Sequence, residues 1–235
     1  MRQVSIIGDS ISTFEVYNPE GYAVFYDAEM QKINEMHSVY DIWWAKVNQA
    51  LHAYLCVNNA YSGSRVSGKV FPAGESRERL VNLRTREHIP NIILIYIVFN
   101  DFGTGVNVQS NLLHLKGTSS NESFEEAYDN MLKTVKSYYP EAVIVCGTLM
   151  RTKIRNNDTW KFPESFAGVK LEDYNNAIRK ISKKNHCYLA DIAAGGEKYE
   201  TLDGTHPTAK GHETIANAWI RCLHDSAFVM KGSIK

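Results

Sequence analysis

The chain has 235 residues, enough for one full domain, and its 26 basic and 26 acidic side chains leave no net charge. That balance removes the electrostatic case for a nucleic-acid or anionic-membrane partner. Hydrophobic residues at 44% and charged residues at 22% describe an ordinary globular composition, and the longest apolar run, Ile92 to Phe99, is too short to span a bilayer.

The N-terminus passes from Arg2 straight into a first expected strand, Gln3 to Ile7, with no secretory apolar core, so a cytoplasmic location is the expectation. Gly8-Asp9-Ser10 follows at once and puts a serine at a strand's carboxyl end. The plain reading of Ser10 is a helix cap. The same position lets a serine offer its own N–H to a developing oxyanion. The GxSxG nucleophile elbow is absent, because Ser12 occupies its last position. Residues 12–37 carry several aromatics without a period, and a helix is expected from Ser38 to Ala53 with Trp43 and Trp44 in the core. After a second strand, Tyr54 to Asn59, Gly63 permits a tight turn whose N–H faces a ligand. Gly63 to Val70 also falls one residue short of a phosphate-binding loop, since Val70 lacks the magnesium-binding hydroxyl and Pro72 opposes a helix there.

The third strand, Asn91 to Val98, runs into Phe99-Asn100-Asp101, expected as a turn. The Asn100 amide is a candidate oxyanion donor there, and Asp101 reads as structural, holding the loop. Gly103-Thr104-Gly105 begins a GxGxxG that ends in Val108, with no helix opening on it. A helix is expected over Phe124 to Tyr139, started by a Ser123/Glu126 capping box, and a strand over Ala142 to Gly147. The polar stretch 151–168, with Trp160, Phe162 and Pro163, reads as a functional lid or a pocket wall. Leu171 to Lys184 reads as a helix, Cys187 to Asp191 as a strand, and Thr208 to Leu223 as a last helix begun by Pro207. Strands apolar nearly throughout, alternating with helices, predict an α/β domain with helices on both faces of a parallel sheet. Cys56, Cys146, Cys187 and Cys222 are scattered without a CxxC pair, so free, buried thiols and a reducing compartment are expected.

Just before that last helix stands Asp203-Gly204-Thr205-His206. A serine hydroxyl needs a base to take its proton, and the base works best when a carboxylate fixes its tautomer. Ser10, Asp203 and His206 supply all three parts. A metal site built from Asp203, His206 and His212 ranks well below, because His212 falls more than a turn beyond His206.

Taken together and in order, these blocks resemble the SGNH (GDSL-type) hydrolases. The resemblance matches the family's Ser to Ser10, its second-block Gly to Gly63, its Asn to Asn100, and its Asp-x-x-His to Asp203 and His206. Val98 departs from the pattern, standing where the family usually has glycine, and its place in an apolar strand favours packing. What the resemblance implies is one domain over residues 1–235, a three-layer α/β/α sandwich on a five-stranded parallel sheet of flavodoxin-like type. It also implies ester or thioester hydrolysis through a Ser10–His206–Asp203 triad. The oxyanion hole would come from the Ser10 and Gly63 N–H groups and the Asn100 amide, with no metal or organic cofactor. Tyr22, Phe25, Tyr26 and Trp160, available for stacking, lean the substrate toward a short acyl group on a carbohydrate or small molecule. An acyltransferase, a lipid or thioester acylhydrolase and a silent binding protein on the same fold are the alternatives. Oligomeric state is left open.

Overall fold

Five apolar strands pair in parallel as a single sheet. They are β1 (Arg2–Gly8), β2 (Ala53–Ala60), β3 (Ile92–Tyr96), β4 (Val143–Gly147) and β5 (Tyr188–Ala190), in spatial order β2-β1-β3-β4-β5. The structure is a computed structural model that describes residues 2–109 and 123–225. Every residue of β3 is buried, as expected for a strand covered on both faces.

Strand order decides where the helices go. The chain steps from β1 outward to β2, then crosses back over β1 to β3 and continues to β4 and β5. Right-handed crossovers therefore put the β1–β2 helix, α2 (Trp43–Ala50), on one face. The later helices, α3 (Arg77–Val81), α5 (Phe124–Tyr138) and α6 (Leu171–Lys184), go to the other. The contacts agree: α2 packs on the final helix, α7 (Ala209–Asp225), while α3 packs on α5 and α5 on α6. Trp43 and Trp219 join α2 to α7 as stacked rings 5.1 Å apart. The reversal of strand order lies between β1 and β3, and ligand sites in open α/β sheets form at the carboxyl ends beside such a point.

α5 starts where its capping box predicts. Ser123 accepts from the Glu126 N–H, and the Glu126 carboxylate accepts from the Ser123 N–H at 3.0 Å. Its buried face, Phe124, Ala127, Tyr128, Met131, Leu132 and Val135, follows helical spacing. Each large apolar side chain removed from water there contributes about 1.5–3 kcal/mol.

Several elements differ from expectation. The helix expected over Ser38–Ala53 is interrupted: Ser38 and Asp41 close a capping box on a short 3-10 turn, Val39–Asp41, and Ile42 is extended before α2 begins. Phe99-Asn100-Asp101 is not a turn but the start of a short helix, α4 (Phe99–Thr104), so β3 ends at Tyr96. Pro207 lies outside α7, bridged to Thr201, while Thr208 Oγ1 accepts from the Gly211 N–H and caps the helix. The stretch 151–168 contains a strand, Arg151–Ile154, paired in parallel with Lys198–Thr201, and one strand of a small hairpin, Ser165–Phe166 with Val169–Lys170. Only Cys146 of the four free cysteines is buried; Cys56, Cys187 and Cys222 are half-buried. The short helix α1 (Ala28–Ile33) lies in the aromatic stretch after β1. Among the described residues no helix is long and apolar enough to cross a membrane.

Candidate active site

The β1 strand delivers Ser10 into a single 3-10 turn, Ser10–Ser12, capped by Asp9. The Asp9 carboxylate accepts from the N–H groups of Ile11 at 3.1 Å, Val98 at 3.4 Å and Phe99 at 3.3 Å. It thus joins the serine turn to the segment carrying Asn100. Burial raises the Asp9 pKa, opposed by those backbone donors and by His206. Three side chains hold Ser12 from behind. Trp43 Nε1 donates to its hydroxyl at 3.1 Å, and Trp44 Nε1 and Asn58 Nδ2 each donate to its carbonyl at 2.9 Å. Gly8 must be glycine, because a Cβ there would lie 2.5 Å from the Ser12 side chain.

The acid and imidazole come from the loop after strand Lys198–Thr201. Thr201 Oγ1 accepts from the Gly204 N–H at 3.0 Å, and the Gly204 carbonyl accepts from Thr152 Oγ1 at 2.8 Å. The Tyr199 hydroxyl donates to the Thr205 carbonyl at 3.0 Å. The loop is therefore anchored on both sides by the pair of strands. Asp203 Oδ1 accepts from the Thr205 and His206 N–H groups, each at 2.8 Å. Asp203 Oδ2 lies 2.6 Å from His206 Nδ1, and His206 Nε2 lies 3.0 Å from Ser10 Oγ. Burial pushes the Asp203 carboxyl up, but its hydrogen bond to His206, the His206 charge and the two N–H donors prevail and hold it at about 2. Asp203 is thus ionised at neutral pH. Phe25 lies flat on the imidazole, 3.4 Å between ring centres and 9° between planes, and fixes its tilt. A carboxylate–imidazole–hydroxyl chain of this geometry can move a proton from serine to histidine.

Two other expected residues stand on neighbouring segments, Gly63 in the loop after β2 and Asn100 in the first turn of α4. Gly63, at φ +80, takes the left-handed conformation that glycine adopts without strain, and it is exposed. Asn100 Nδ2 donates to the Ser64 carbonyl at 2.9 Å, which uses one amide hydrogen, fixes the side chain and leaves the second hydrogen for another acceptor. Asp101 holds the loop after Gly63, accepting from Val66 N–H at 2.7 Å and from Ser67 N–H and Oγ at 3.3 and 2.9 Å. Burial pushes the Asp101 pKa up to about 6 against those bonds.

Val98 is fully buried in the core. Val98→Gly should therefore destabilise the fold by about 2–4 kcal/mol, from lost burial and added chain entropy. Urea unfolding checks this, and acyl-chain preference should stay unchanged. A gain in turnover on longer acyl esters would show instead that Val98 crowds the site.

Among the aromatic residues expected to stack on substrate, Tyr26 is fully buried and its hydroxyl donates to the Pro207 carbonyl at 2.8 Å, so it belongs to the core. Phe25 is committed to His206. Tyr22 joins Tyr61 and Phe71 in a cluster with ring centres 5.2–5.5 Å apart. Trp160 stands over the acid loop: a Cβ added to Gly204 would lie 3.1 Å from its ring. The metal set is not assembled. His212 is fully buried against Tyr26, and burial, with the nearby Lys46 and His206 charges, lowers its pKa to about 3. Among the described residues no cluster of His, Cys, Asp or Glu is arranged to hold a metal ion. The sequence reading missed how Asn58, Trp43 and Trp44 hold Ser12. A polar pair, Asn58-Asn59, closing an otherwise apolar strand was the available signal.

The family profile described as GDSL-like Lipase/Acylhydrolase matches residues 2–221. No curated protein matches the chain by sequence. Solved structures share its fold. A Bacteroides ovatus protein of the GDSL-like lipase type is 22% identical with a TM-score of 0.72, covering 96% of this chain and 99% of that one. A Bacteroides uniformis protein of the same type is 23% identical with a TM-score of 0.70, covering 96% of each chain. A family two carbohydrate esterase from Clostridium thermocellum is 17% identical with a TM-score of 0.58, over 97% of this chain and 64% of that one. The chain belongs to the GDSL-like lipase/acylhydrolase family and is an ester-hydrolysing enzyme.

Proposed function

We propose that the chain is a serine esterase that removes a short acyl group, acetyl first, from a carbohydrate or small-molecule ester. The observation that carries this reading is the unbroken chain Asp203–His206–Ser10, with contacts of 2.6 and 3.0 Å. Ser10 Oγ attacks the acyl carbonyl while His206 Nε2 takes its proton, and the ionised Asp203 stabilises the imidazolium. The tetrahedral oxyanion is held by the N–H groups of Ser10 and Gly63 and by the second Asn100 amide hydrogen. His206 then protonates the departing alcohol. A water that gives its proton to His206 releases the acyl group and restores the serine.

Asn100→Ala should lower kcat roughly 10²–10³-fold, the range for removing one oxyanion donor, with KM nearly unchanged. Steady-state kinetics on an aryl acetate measures both. Unchanged kcat would remove Asn100 from the oxyanion hole.

The carbohydrate part of the reading is supported by the half-buried Trp160 above the acid loop and by the fold shared with a carbohydrate esterase. Sugar rings stack on such faces. Trp160→Ala should raise KM on acetylated oligosaccharides about 10-fold, in the range of one lost aromatic contact, and leave aryl acetate kinetics unchanged. Equal effects on both substrates would argue against saccharide stacking. The whole reading is tested by hydrolysis of aryl acetates and acetylated oligosaccharides, and absence of turnover on any short-chain ester would overturn it.

A further inference from the structure

Arg79, on α3, is fully buried, and every one of its donors is taken by a neutral acceptor. Nε donates to Asn59 Oδ1 at 3.0 Å, and Nη1 to Ser64 Oγ at 2.9 Å and the Pro72 carbonyl at 3.0 Å. Nη2 donates to the Gly8 carbonyl at 2.9 Å and to the Asn59 carbonyl. A guanidinium carries five N–H donors, so this set is complete. Burial pulls its pKa down to about 10, with Tyr22, Asp9 and Tyr61 opposing, so it remains a cation at neutral pH. Burying a charge without a carboxylate directly on it is costly. A residue serving only to fill space here would be apolar.

The acceptors are not scattered. Gly8 ends β1, two residues before Ser10, and Asn59 lies at the end of β2, ahead of the Gly63 turn. Ser64 is the neighbour of Gly63, and its carbonyl holds the Asn100 amide at 2.9 Å. One rigid fork therefore ties the ends of β1 and β2 to the loop after Gly63, and through the Ser64 carbonyl it reaches the Asn100 amide. We propose that Arg79 is a positioning residue for the oxyanion hole, setting the mutual placement of the Ser10, Gly63 and Asn100 donors and adding a fixed positive charge beneath them. The inference rests on the serine-esterase reading above. Its physical basis is that preorganised donors cost no reorganisation when charge develops, whereas loosened ones do.

The test is Arg79→Lys, which keeps the cation and loses the fork, beside Ser64→Ala, which removes one acceptor and leaves the arginine in place. Both are assayed on an aryl acetate well below their melting temperatures, with inhibition by an alkyl boronic acid whose tetrahedral adduct mimics the oxyanion. For Arg79→Lys, kcat should fall about 10- to 100-fold, the scale of a small misplacement of reacting groups, with KM within about 3-fold. Boronate affinity should fall in proportion. Ser64→Ala should show the same pattern at about 3- to 10-fold, and it decides the matter if Arg79→Lys does not fold. Combining Arg79→Lys, or Ser64→Ala in its place, with Asn100→Ala should cost less than the product of the single losses, because they act through one unit. A folded Arg79→Lys with wild-type kcat and boronate affinity overturns the proposal, as does Ser64→Ala that changes only the melting temperature. Failure of the underlying reading would look different: the wild-type enzyme itself would not be inhibited by the boronate.

Discussion

Ser10→Ala is expected to lower kcat on an aryl acetate by at least ~10³-fold and to leave the protein folded, with a melting temperature within a few degrees of wild type. The turn that presents Ser10 is held by other groups: Asp9 accepts from Ile11, Val98 and Phe99, and Ser12 is held by Trp43, Trp44 and Asn58. Losing the hydroxyl removes one contact, to His206, and none of those anchors. His206→Ala should cost about as much, and the double variant little more than either single one, because nucleophile and base act as a unit. Circular dichroism beside the kinetics separates lost chemistry from lost fold. Near-wild-type turnover by Ser10→Ala would contradict the mechanism outright.

Asp203→Asn should lower kcat by about 10⁴-fold, the cost of presenting the wrong imidazole tautomer. As a carboxylate, Asp203 accepts from His206 Nδ1–H and leaves Nε2 free to take the serine proton. An asparagine amide can instead donate to Nδ1, which puts the ring proton on Nε2 and blocks it as a base. The substitution also changes pH dependence. The folded-state pKa of Asp203, about 2, lies below its ordinary 3.8. A carboxylate depressed in this way stabilises the fold above its ordinary pKa and loses that stabilisation as pH falls through the folded value. Unfolding measured between pH 4 and pH 2 should therefore lose part of its pH dependence in Asp203→Asn. Asp203 is 49% exposed on its side chain, so solvent screening keeps this effect small beside the kinetic one.

What was legible in the sequence follows from how strongly each segment is patterned. The five sheet strands are apolar nearly throughout, and α6 begins and ends at Leu171 and Lys184 as its periodicity predicts. The strands Arg151–Ile154 and Lys198–Thr201 were missed because each is four residues long and mixes charged with apolar side chains. Their pairing depends on a partner more than forty positions away, which no local pattern encodes. The break at Ile42 was hidden for a related reason, since Ser38 and Asp41 form a plausible helix start and only tertiary burial of an extended Ile42 sets the second start at Trp43.

The site was legible as residue types and order, not as architecture. Ser10, Asp203 and His206 stood out because that chemistry needs those groups together. Asn100 was expected on a turn, whereas the Asp9 carboxylate takes the Val98 and Phe99 N–H groups and starts a helix there. The apolar character of Phe25 gave no sign that it would lie on the imidazole. No pattern in the sequence singles out Arg79, and only the folded chain shows five acceptors converging on it.

The central claim is that Ser10 is the nucleophile activated by His206. Reaction of the purified protein with a fluorophosphonate, followed by intact-mass and peptide mass spectrometry, tests it most directly. The account predicts one adduct per chain, located on Ser10, formed in step with loss of esterase activity, absent from Ser10→Ala and strongly slowed in His206→Ala. Full esterase activity with no adduct on Ser10, or inactivation through an adduct on another residue, would contradict it.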